Sequence, residues 1–476
     1  MKMMMPEMAA TVTVAAVLLL ATAAGAEATL PPPLELERVP LNGKLLTDLR
    51  ERDRARHSRV GVVNLPVEGT IAPFSDGLYY TRLKLGNPPR QYTFQLDTGI
   101  SISWVACKGC KACLAKNTSI VLYNPESSST SSPISCSNNA CAAAQIGSTV
   151  CKTGGLCGYS FTYAGDDIVT GYYVSDTMYF NSITGNKHSI NSSASVVFGC
   201  TKTPLKLMDT DGVLGFGQDD LSFISQLHSQ GLSPRVFSHC LKGSEKGGGT
   251  FVLGKTVAPG VVYTPLVSTL SSYNLNLESI AVNGHKLPID SSLFATSNSQ
   301  GTTVVDSGTA LAYIVAGAHG PLVTAITEAI PPSVTPVDAS LSKKRDRHDK
   351  CFVSSGSMDL LFPTVTLYFK GNAAMTVKPS HYLVQQGTYG NESVWCIGWQ
   401  SSQALSNIQG LSVTILGDIV LHDKLIVYDL ENKQLGWTDY NCSSLNATSP
   451  LDVSGTSEYY SGGLIWVAAV WVLLRL

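Results

Sequence analysis

Apolar and polar positions alternate along most of the chain from Gly77 onward, as they do in strands whose two faces meet different surroundings. Leu78 to Leu85 alternates in this way, and a second alternating stretch covers Gln91 to Leu96. Gly86 to Pro89 between them is a turn sequence, so the pair predicts a hairpin. Short apolar stretches separated by Gly, Asn and Pro continue to Trp437. The pattern predicts an all-β chain.

Two stretches instead carry apolar residues at helical spacing. One runs from Val315 to Ile330 and the other from Leu221 to His228. We therefore expect a few short helices within the β-rich chain.

The chain begins with a stretch typical of an exported protein. Lys2 precedes the apolar residues Ala9 to Ala24, which end in small residues around Gly25. This apolar stretch is too short to span a bilayer, so it predicts a signal peptide over residues 1–26 that is removed after export.

The C-terminal end is also apolar, but Leu464 to Leu474 is shorter than the roughly 20 residues of a membrane-spanning helix. A polar spacer, Ser457 to Gly463, and a cluster of small residues beginning at Ser454 precede it. This order is typical of the signal for a glycosylphosphatidylinositol (GPI) anchor, here over residues 446–476 with Ser454 as the attachment site. The alternative, a C-terminal element buried in a core, is disfavoured because the polar segment before it could not hold it there.

A segment of different character lies between the signal peptide and the first alternating strand. It contains the prolines Pro31 to Pro33 and a dense charge cluster from Arg50 to Arg59. Residues 27–70 are predicted to form a pro-segment, and a disordered linker is the alternative.

Composition narrows the possible functions. The chain has 476 residues, with 33 Lys and Arg against 35 Asp and Glu, and 14% of its residues are charged. A nucleic-acid-binding protein is expected to be basic, so that class is disfavoured. The length allows two or three domains and therefore a cleft between domains.

The chain contains twelve cysteines, which in an exported protein indicate disulfides because the secretory route is oxidising. The spacing of Cys107, Cys110 and Cys113 could also suit a metal, but no histidine cluster accompanies them, so disulfides are favoured and no metal is expected.

Sequons of the form Asn-x-Ser/Thr predict glycosylation sites. They begin at Asn117, Asn191, Asn391, Asn441 and Asn446.

Two tripeptides supply candidate chemistry, Asp97-Thr98-Gly99 and Asp306-Ser307-Gly308. Each follows an apolar strand, so each carboxylate is expected to stand rigidly on a tight turn. One such triplet is weak evidence in a chain rich in Ser, Thr and Gly. Two triplets far apart in the chain suit two lobes that each supply one carboxylate.

Two carboxylates that face each other cannot both ionise readily, so they share a proton and titrate as a coupled pair. One of them can accept a proton from water while the other donates a proton to a carbonyl oxygen, which is general acid–base hydrolysis. This chemistry needs neither a metal nor an organic cofactor, and none is expected.

With further motifs around these triplets, the chain resembles the pepsin-like aspartic proteases, and within them the plant nepenthesin-related, GPI-anchored proteins. Trp104, seven residues after Asp97, matches the family tryptophan whose indole N–H bonds the hydroxyl of the flap tyrosine. Tyr163 matches that tyrosine. Asp211 to Gly217 and Ile415 to Asp418 match the paired apolar-apolar-Gly segments through which each catalytic loop is threaded in the family.

The resemblance implies an all-β, bilobal fold with the active site in the cleft between two pseudo-repeated lobes, residues 71–265 and 266–445. It implies a monomeric endopeptidase that hydrolyses polypeptides at acidic pH, with Asp97 and Asp306 as catalytic residues. A turn at Thr170-Gly171 helps to place the flap. The implied flap and substrate-binding residues are Tyr163, Trp104, Thr309, Gly99 and Gly308. Such a protein is expected on the outer face of the plasma membrane, held by the GPI anchor, or outside the cell.

Two positions depart from the family pattern. Ile100 follows the first triplet where the family usually has Ser, whose hydroxyl bonds the carboxylate, whereas Thr309 is retained after the second. Losing that donor is expected to raise the pKa of Asp97 or to weaken its positioning, unless Ser101 substitutes. Ala164 follows the flap tyrosine where the family usually has Gly.

The resemblance also implies part of the disulfide pattern. Cys351 with Cys396 resembles a family bridge of the second lobe, and Cys240 with Cys442 would then join the lobes. Eight cysteines are expected to pair within the first lobe in an order that the sequence leaves open: Cys107, Cys110, Cys113, Cys136, Cys141, Cys151, Cys157 and Cys200.

Two other functions stay open at this point. The first is a cell-surface binding protein whose cleft holds a peptide or a wall polymer without cutting it. The departure from the family pattern at Ile100 is the feature that supports this alternative. The second is a carbohydrate hydrolase, which also uses paired carboxyl groups. It is disfavoured because its acids need not stand in two such turns.

Overall fold

The computed structural model describes residues 62–70, 78–110, 113, 120–143, 148–151, 155–162, 168–183, 189–203, 210–244, 246–254, 256, 258–267, 272–295, 303–337, 350–405 and 413–444. All of them lie in one compact unit, residues 53–476. The predicted signal peptide, most of the predicted pro-segment and the predicted anchor signal lie outside the described residues.

Strands dominate the described residues, which confirms the predicted all-β class. The strands are β1 (Val62–Thr70), β2 (Leu78–Leu85), β3 (Arg90–Asp97), β4 (Trp104–Ala106), β5 (Ser132–Pro133), β6 (Ser148–Val150), β7 (Gly158–Thr162), β8 (Ile168–Ile183), β9 (Ser189–Thr203), β10 (Gly212–Gly215), β11 (Val236–Leu241), β12 (Gly249–Leu253), β13 (Val262–Pro265), β14 (Asn274–Leu275), β15 (Leu277–Val282), β16 (His285–Lys286), β17 (Thr303–Val305), β18 (Ala312–Ile314), β19 (Thr335–Pro336), β20 (Cys351–Ser354), β21 (Val365–Phe369), β22 (Ala373–Val377), β23 (Leu383–Tyr389), β24 (Glu392–Ile397), β25 (Trp399–Ser401), β26 (Thr414–Leu416), β27 (Lys424–Asp429) and β28 (Gln434–Asp439).

The helices of the described residues are short. The α-helices are α1 (Asn139–Ala143), α2 (Phe223–Ser229), α3 (Ala316–Glu328), α4 (Met358–Leu361) and α5 (Asp418–Leu421), and single 3-10 turns cover Pro125–Ser127, Ser291–Phe294, Pro379–His381, Ser402–Leu405 and Cys442–Ser444. The two predicted helices correspond to α2 and α3. Helix α2 starts after Ser222, whose side chain accepts a hydrogen bond from the N–H of Ser225 and so caps the helix.

The predicted hairpin forms from β2 and β3, which pair antiparallel with Leu83 opposite Tyr92. Leu83 and Tyr92 are buried, whereas Arg82 and Lys84 on the other face of β2 are exposed. The alternation of apolar and polar residues in these strands therefore corresponds to a sheet with one face packed on the core and the other exposed.

One large sheet joins the two halves of the chain. Its strands follow the order β13, β28, β27, β11, β12, β1, β2, β3, β10, β4, β9, β8, β7 and β6, with β5 also paired to β8. Strand β11 of the first half pairs with β27 of the second half. The second half adds three smaller sheets, β14-β17-β26-β18-β25, β16-β15-β21-β22 and β19-β20-β24-β23.

The same strand arrangement occurs once in each half. In the first half β10 pairs parallel with β3 and antiparallel with β4, and β4 pairs parallel with β9. In the second half β26 pairs parallel with β17 and antiparallel with β18, and β18 pairs parallel with β25. This repeat supports two pseudo-repeated lobes.

A single large cluster of buried apolar side chains runs through both halves and includes Phe94, Phe216, Phe237, Tyr273 and Tyr428. The ring of Phe237 stacks on that of Tyr428, with centroids 4.4 Å apart. Because β11 and β27 carry these rings, the core is continuous beneath the point where the lobes meet.

The structure corrects one detail of the sequence interpretation. Thr170 and Gly171 form no turn: they lie within β8, where pairing with β9 shifts register between them.

The last residues of the predicted pro-segment form β1, which pairs with β12, β2 and β8. Val63 and Leu65 of β1 are fully buried, so this strand packs with the first half of the chain.

Candidate active site

The first aspartate turn, residues 97–100, begins where β3 ends. Strand β10 runs beside β3, and the N–H of Phe216 donates to the carbonyl oxygen of Asp97 over 2.8 Å. The N–H groups of Gly99 and Ile100 donate to Oδ1 of Asp97 over 2.8 and 3.2 Å. The carboxyl group is thus held by its own turn, and Asp97 is 5% exposed.

The second aspartate turn, residues 306–309, follows β17, which pairs parallel with β26 as β3 does with β10. The N–H of Asp306 donates to the carbonyl oxygen of Leu416 in β26 over 3.0 Å. The N–H of Gly308 donates to Oδ1 of Asp306 over 2.8 Å, and the hydroxyl of Thr309 donates to Oδ2 over 2.6 Å. Asp306 therefore receives a side-chain donor in addition to a backbone donor.

The two turns meet face to face, and glycine makes this close approach possible. A Cβ atom on Gly99 would lie 2.7 Å from Cγ of Asp306, and a Cβ atom on Gly308 would lie 2.4 Å from Cγ of Asp97. Any larger residue at either position would collide with the opposite carboxyl group. The structure thus brings Asp97, Gly99, Asp306 and Gly308 together, as the sequence predicts.

The middle residues of the triplets tie the turns to each other. The N–H of Ser307 donates to the hydroxyl oxygen of Thr98 over 3.0 Å, and the hydroxyl of Ser307 donates to the carbonyl oxygen of Leu96 over 3.0 Å. The hydroxyl of Thr98 in turn lies 3.3 Å from the carbonyl oxygen of Val305. Both side chains are buried, so these bonds fix the spacing of the carboxyl groups.

Burial and mutual repulsion make the two carboxyl groups reluctant to ionise. Burial raises the pKa of Asp97 well above that of an ordinary aspartate, and the charge of Asp306 raises it further. Burial also raises the pKa of Asp306, but the hydroxyl of Thr309 and the N–H groups of Gly308 and Gly99 oppose this rise. The hydrogen bond between the two carboxyl groups raises the pKa of Asp97 and lowers that of Asp306. The geometry therefore favours the shared proton on Asp97.

The asymmetry follows from one residue in each turn. Thr309 supplies a hydroxyl donor to Asp306, but in the described part of the chain no hydroxyl donates to Asp97, because Ile100 stands at the corresponding position. Ser101 does not substitute. Its hydroxyl oxygen lies 3.2 Å from the N–H of Asp219, and its hydroxyl bonds the Asp219 side chain.

A second asymmetry lies directly behind the turns. Phe216 follows Gly215 of β10, whereas Asp418 follows Gly417 after β26. Asp418 is 2% exposed, and its Oδ1 has no hydrogen-bond partner among the residues described. Burial raises the pKa of Asp418 well above its ordinary value, and the charges of Asp306 and Asp97 add to the rise. This carboxyl group is therefore neutral in acid.

Tyr428, a fully buried residue of β27, contacts the first turn from the core. Its hydroxyl bonds the side chain of Thr98 and lies 3.1 Å from Nε2 of His239. Burial lowers the pKa of His239 to about 3, so this imidazole is neutral. Sequence reasoning missed Tyr428, His239 and the role of Asp418. Of the three, only Asp418 carried a signal, an acidic residue directly after an apolar run.

The predicted flap corresponds to the hairpin of β7 and β8. Its tip, including Tyr163, lies outside the described residues. Trp104 of β4 is fully buried and packs in a cluster with Tyr159 and Tyr173. The core packed against this hairpin is thus aromatic.

The twelve cysteines form six disulfides, and the described residues contain no free cysteine. Cys351 pairs with Cys396, and Cys240 with Cys442. The remaining bridges all lie within the first lobe and join Cys107 to Cys200, Cys110 to Cys113, Cys136 to Cys151, and Cys141 to Cys157. Thiols paired in this way are not available to a metal.

Among the predicted modification sites, Asn191, Asn391 and Asn441 are exposed. Asn117, Asn446 and the predicted attachment residue Ser454 lie outside the described residues. None of the described helices is both long and apolar enough to cross a membrane.

Comparison with known proteins follows the two halves of the chain. A family model described as "Xylanase inhibitor N-terminal" matches residues 79–255, and one described as "Xylanase inhibitor C-terminal" matches residues 272–439. The chain is similar in fold to the crystal structure of basic 7S globulin from soybean, with a TM-score of 0.62 and 20% identity over 82% of this chain and 100% of that one.

Curated relatives extend the match at the level of sequence. Aspartic proteinase 36 of Arabidopsis thaliana is 36% identical over 410 residues, 84% of this chain and 82% of that protein. Aspartic proteinase nepenthesin-1 of Nepenthes gracilis is 27% identical over 381 residues, 78% of this chain and 79% of that protein. Together with two lobes that each present a carboxyl group on the same turn, these matches show that the chain belongs to the plant pepsin-like aspartic protease family.

Proposed function

We propose that this protein is an aspartic endopeptidase that hydrolyses polypeptides at acidic pH, with Asp97 and Asp306 as its catalytic residues. The observation that carries the proposal is the meeting of two carboxyl groups, one from each lobe, within a hydrogen bond of each other. No other pair of acidic residues in the described part of the chain combines this burial and this symmetry of backbone support.

The proposed reaction assigns a different task to each carboxyl group. Asp306 is the charged partner, because Thr309 stabilises its carboxylate, and it takes a proton from the attacking water. Asp97 carries the shared proton and donates it to the carbonyl oxygen of the peptide bond. The water oxygen bonds to the carbonyl carbon, and no covalent enzyme intermediate forms. The proton on Asp306 then passes to the amine nitrogen and the C–N bond breaks. A hydroxyl of the tetrahedral intermediate gives its proton to Asp97, which leaves a carboxylic acid product and restores the pair.

The test is an assay of the purified protein, freed of its pro-segment, on a denatured protein at acidic pH. We expect cleavage by the natural sequence and none by Asp97→Asn or Asp306→Asn. Glu431→Gln makes the same carboxyl-to-amide change at an exposed turn and is expected to leave activity unchanged. Absence of cleavage, or cleavage that survives Asp97→Asn, contradicts the proposal.

A second function, a binding protein without catalysis, is favoured by two observations. Ile100 leaves Asp97 without a hydroxyl donor, and the matching family models are named for xylanase inhibitors. A protein that binds denatured polypeptide or xylanase without cleaving the polypeptide would support this second function.

We further propose that the chain is exported through residues 1–26, is matured by removal of a pro-segment that ends before β1, and acts as a monomer on the outer face of the plasma membrane or outside the cell. The sequence patterns at the two ends support this route. Release from membranes by a GPI-specific phospholipase tests the anchor, and replacing Ser454 and its small neighbours with bulky residues is expected to abolish that release.

A further inference from the structure

A cavity of about 1280 Å³ lies apart from the two catalytic turns, and neither Asp97 nor Asp306 lines it. Its walls include the loop after β11 at Gly243 and Ser244, the stretch from Lys378 into β23, the pair His422 and Asp423, and the residues after β28. The cavity therefore draws on both halves of the chain.

Charged groups at the cavity wall and directly behind it balance one another. The lining carries Lys378, Asp423 and Asp439, and Nζ of Lys378 lies 3.1 Å from Oδ2 of Asp439. Behind the lining, Nζ of the fully buried Lys424 lies 2.8 Å from Oδ1 of Asp439 and 3.0 Å from Nδ1 of His381. Lys378 and Lys424 thus balance the carboxylates of Asp423 and Asp439. Such a wall favours an uncharged ligand over an ion.

Two buried imidazole rings at the wall have fixed tautomers. An ammonium group donates and cannot accept, so Nδ1 of His381 accepts from Lys424 and Nε2 carries the ring proton. Nδ1 of His422 lies 3.2 Å from the carbonyl oxygen of Asp418, which can only accept, so Nε2 of His422 is left as an acceptor. Burial lowers the pKa of His381 to about 2 and also lowers that of His422, so both rings are neutral. Their centroids are 4.5 Å apart.

Gly243 makes room for this arrangement. A Cβ atom there would lie 2.1 Å from Cδ2 of His422 and 2.8 Å from Oδ2 of Asp423. The N–H of Gly243 also donates to Oδ2 of Asp423 over 3.3 Å. The wall therefore places an imidazole acceptor, Nε2 of His422, beside the carboxylate of Asp423, and Nε2 of His381 supplies an N–H donor.

A metal ion is the first ligand to consider, because ligand atoms of His381, His422 and Asp423 lie within 4.8 Å of one another. The tautomer of His381 argues against it. Lys424 occupies the lone pair on Nδ1, and Nε2 bears a hydrogen, so His381 has no free lone pair for a metal. The cluster suits hydroxyl and amide groups instead, which both donate and accept.

The remaining wall includes Trp395, Met358 and Leu383, which add aromatic and apolar surface. An apolar wall with a few convergent donors and acceptors and no net charge fits a neutral polyhydroxylated ligand, a saccharide. The source of such a ligand is also on the cavity wall. Asn441 and Ser443 line the cavity and belong to the sequon Asn441-Cys442-Ser443.

The position of this sequon is fixed. Cys442 is bonded to Cys240 of β11, and the side-chain oxygen of Asn441 accepts from the N–H of Ser443 over 3.1 Å. Asn441 is exposed, so it is open to modification. We propose that the cavity is a saccharide site, occupied by the first sugars of an N-linked glycan on Asn441. This inference rests on the export part of the proposed function and is independent of peptidase activity.

The test uses the full chain made in a eukaryotic secretory host. Ser443→Ala removes the sequon, whereas Ser443→Thr keeps it and controls for the altered side chain. Ser193→Ala removes the sequon at Asn191, on the exposed face of β9, and controls for glycan loss elsewhere. Mass spectrometry of glycopeptides gives the occupancy, and amide hydrogen exchange reports on residues 378–387 and 421–425.

We expect Asn441 to carry a glycan and exchange in these segments to rise roughly tenfold or more in Ser443→Ala, with no rise in Ser443→Thr or Ser193→Ala. Added di-N-acetylchitobiose is expected to restore protection in Ser443→Ala and to have no effect on the natural sequence. A bare Asn441, or a glycan whose loss leaves exchange unchanged, overturns the proposal. Protection by free disaccharide of the natural sequence would show that the saccharide comes from outside. Glycans at Asn191 and Asn391 with none at Asn441 would overturn this inference while leaving export intact.

Discussion

The two aspartate turns differ in two places although their backbones follow one plan. In both, β-strands pair in the same order, and backbone N–H groups hold Oδ1 of the aspartate. The fourth residue is Ile100 in the first turn and Thr309 in the second. The residue behind the turn is Phe216 in the first lobe and Asp418 in the second. Identical scaffolds thus place two carboxyl groups in different surroundings.

This difference separates positioning from electrostatics. Position comes from backbone bonds and from the interlock of Thr98 with Ser307, which serves both lobes equally. Which of the two aspartates ionises more readily depends on side chains, and only Asp306 receives a hydroxyl donor in the described structure. The pair is therefore expected to ionise in a set order, Asp306 first and Asp97 second.

The largest effect is expected from removing either carboxyl group. Asp97→Asn and Asp306→Asn each take away one partner of the acid–base pair, so kcat/KM should fall by roughly 10²–10⁴-fold or more. Steady-state cleavage of a peptide measures this fall. The two variants should be equally inactive although their turns differ. A variant that keeps a tenth of the natural rate would contradict the assignment of that residue.

Thr309→Val should produce the next largest effect. It removes a hydrogen bond to the charged form of Asp306, which is worth about 1.5–3 kcal/mol, so the pKa of Asp306 should rise by about 1–2 units. The charged base then forms only at higher pH, and the acid limb of the kcat/KM profile moves up in pH. Thr309→Ser is the control and should keep the limb in place. An acid limb that does not move in Thr309→Val argues against Thr309 as the source of the asymmetry.

Ile100→Ser tests the other turn and should act on the opposite limb. A new hydroxyl donor would stabilise charged Asp97 and lower its pKa, so the second proton is lost at lower pH. The alkaline limb should move down by up to about one unit, less than the shift expected for Thr309→Val, because the new hydroxyl stands where an apolar side chain now packs. Ile100→Val preserves the apolar side chain and should leave both limbs in place. A shift of the acid limb alone would mean that Asp97 ionises first.

Tyr428→Phe should have the smallest effect on activity. It removes the hydroxyl that bonds Thr98 and His239, so stability should fall by about 0.5–1.5 kcal/mol in a denaturant titration. Tyr382→Phe removes a comparable buried hydroxyl, which donates to the carbonyl oxygen of Pro363 over 2.7 Å, and serves as the control. Both variants should lose similar stability, and only Tyr428→Phe should lower kcat, by a few fold. Equal kcat values in the two variants would reduce Tyr428 to a structural role.

Much of the fold could be predicted from the sequence because alternation is a local signal. Leu78–Leu85 was expected as a strand and has those bounds. The two Asp triplets were found because each repeats a short pattern at the end of an apolar strand. Thr170-Gly171 looks like a turn in isolation, but pairing with β9 carries β8 through it. Strand β1 has no local signal of this kind, because its partners β12 and β8 lie far along the chain.

The surroundings of the carboxyl groups are harder to predict, because they depend on contacts between residues that are distant in the sequence. Ile100 could be noted as a missing donor, yet whether Ser101 replaced it depended on Asp219, more than a hundred residues away. Tyr428 and His239 read as ordinary strand residues, and only the pairing of β11 with β27 puts them beneath Thr98. Contacts distant in sequence decide such roles.

The order of ionisation can be measured directly by carbon NMR of the protein labelled at the aspartate side-chain carboxyl carbons. Asp97→Asn and Asp306→Asn assign the two resonances, and a pH titration of the unmutated protein follows both. In a coupled pair each resonance responds to both steps, and the relative amplitudes give the order. We predict that Asp306 shows most of its change in the more acidic step and Asp97 most of its change in the second. Equal amplitudes, or the reverse order, would contradict the account.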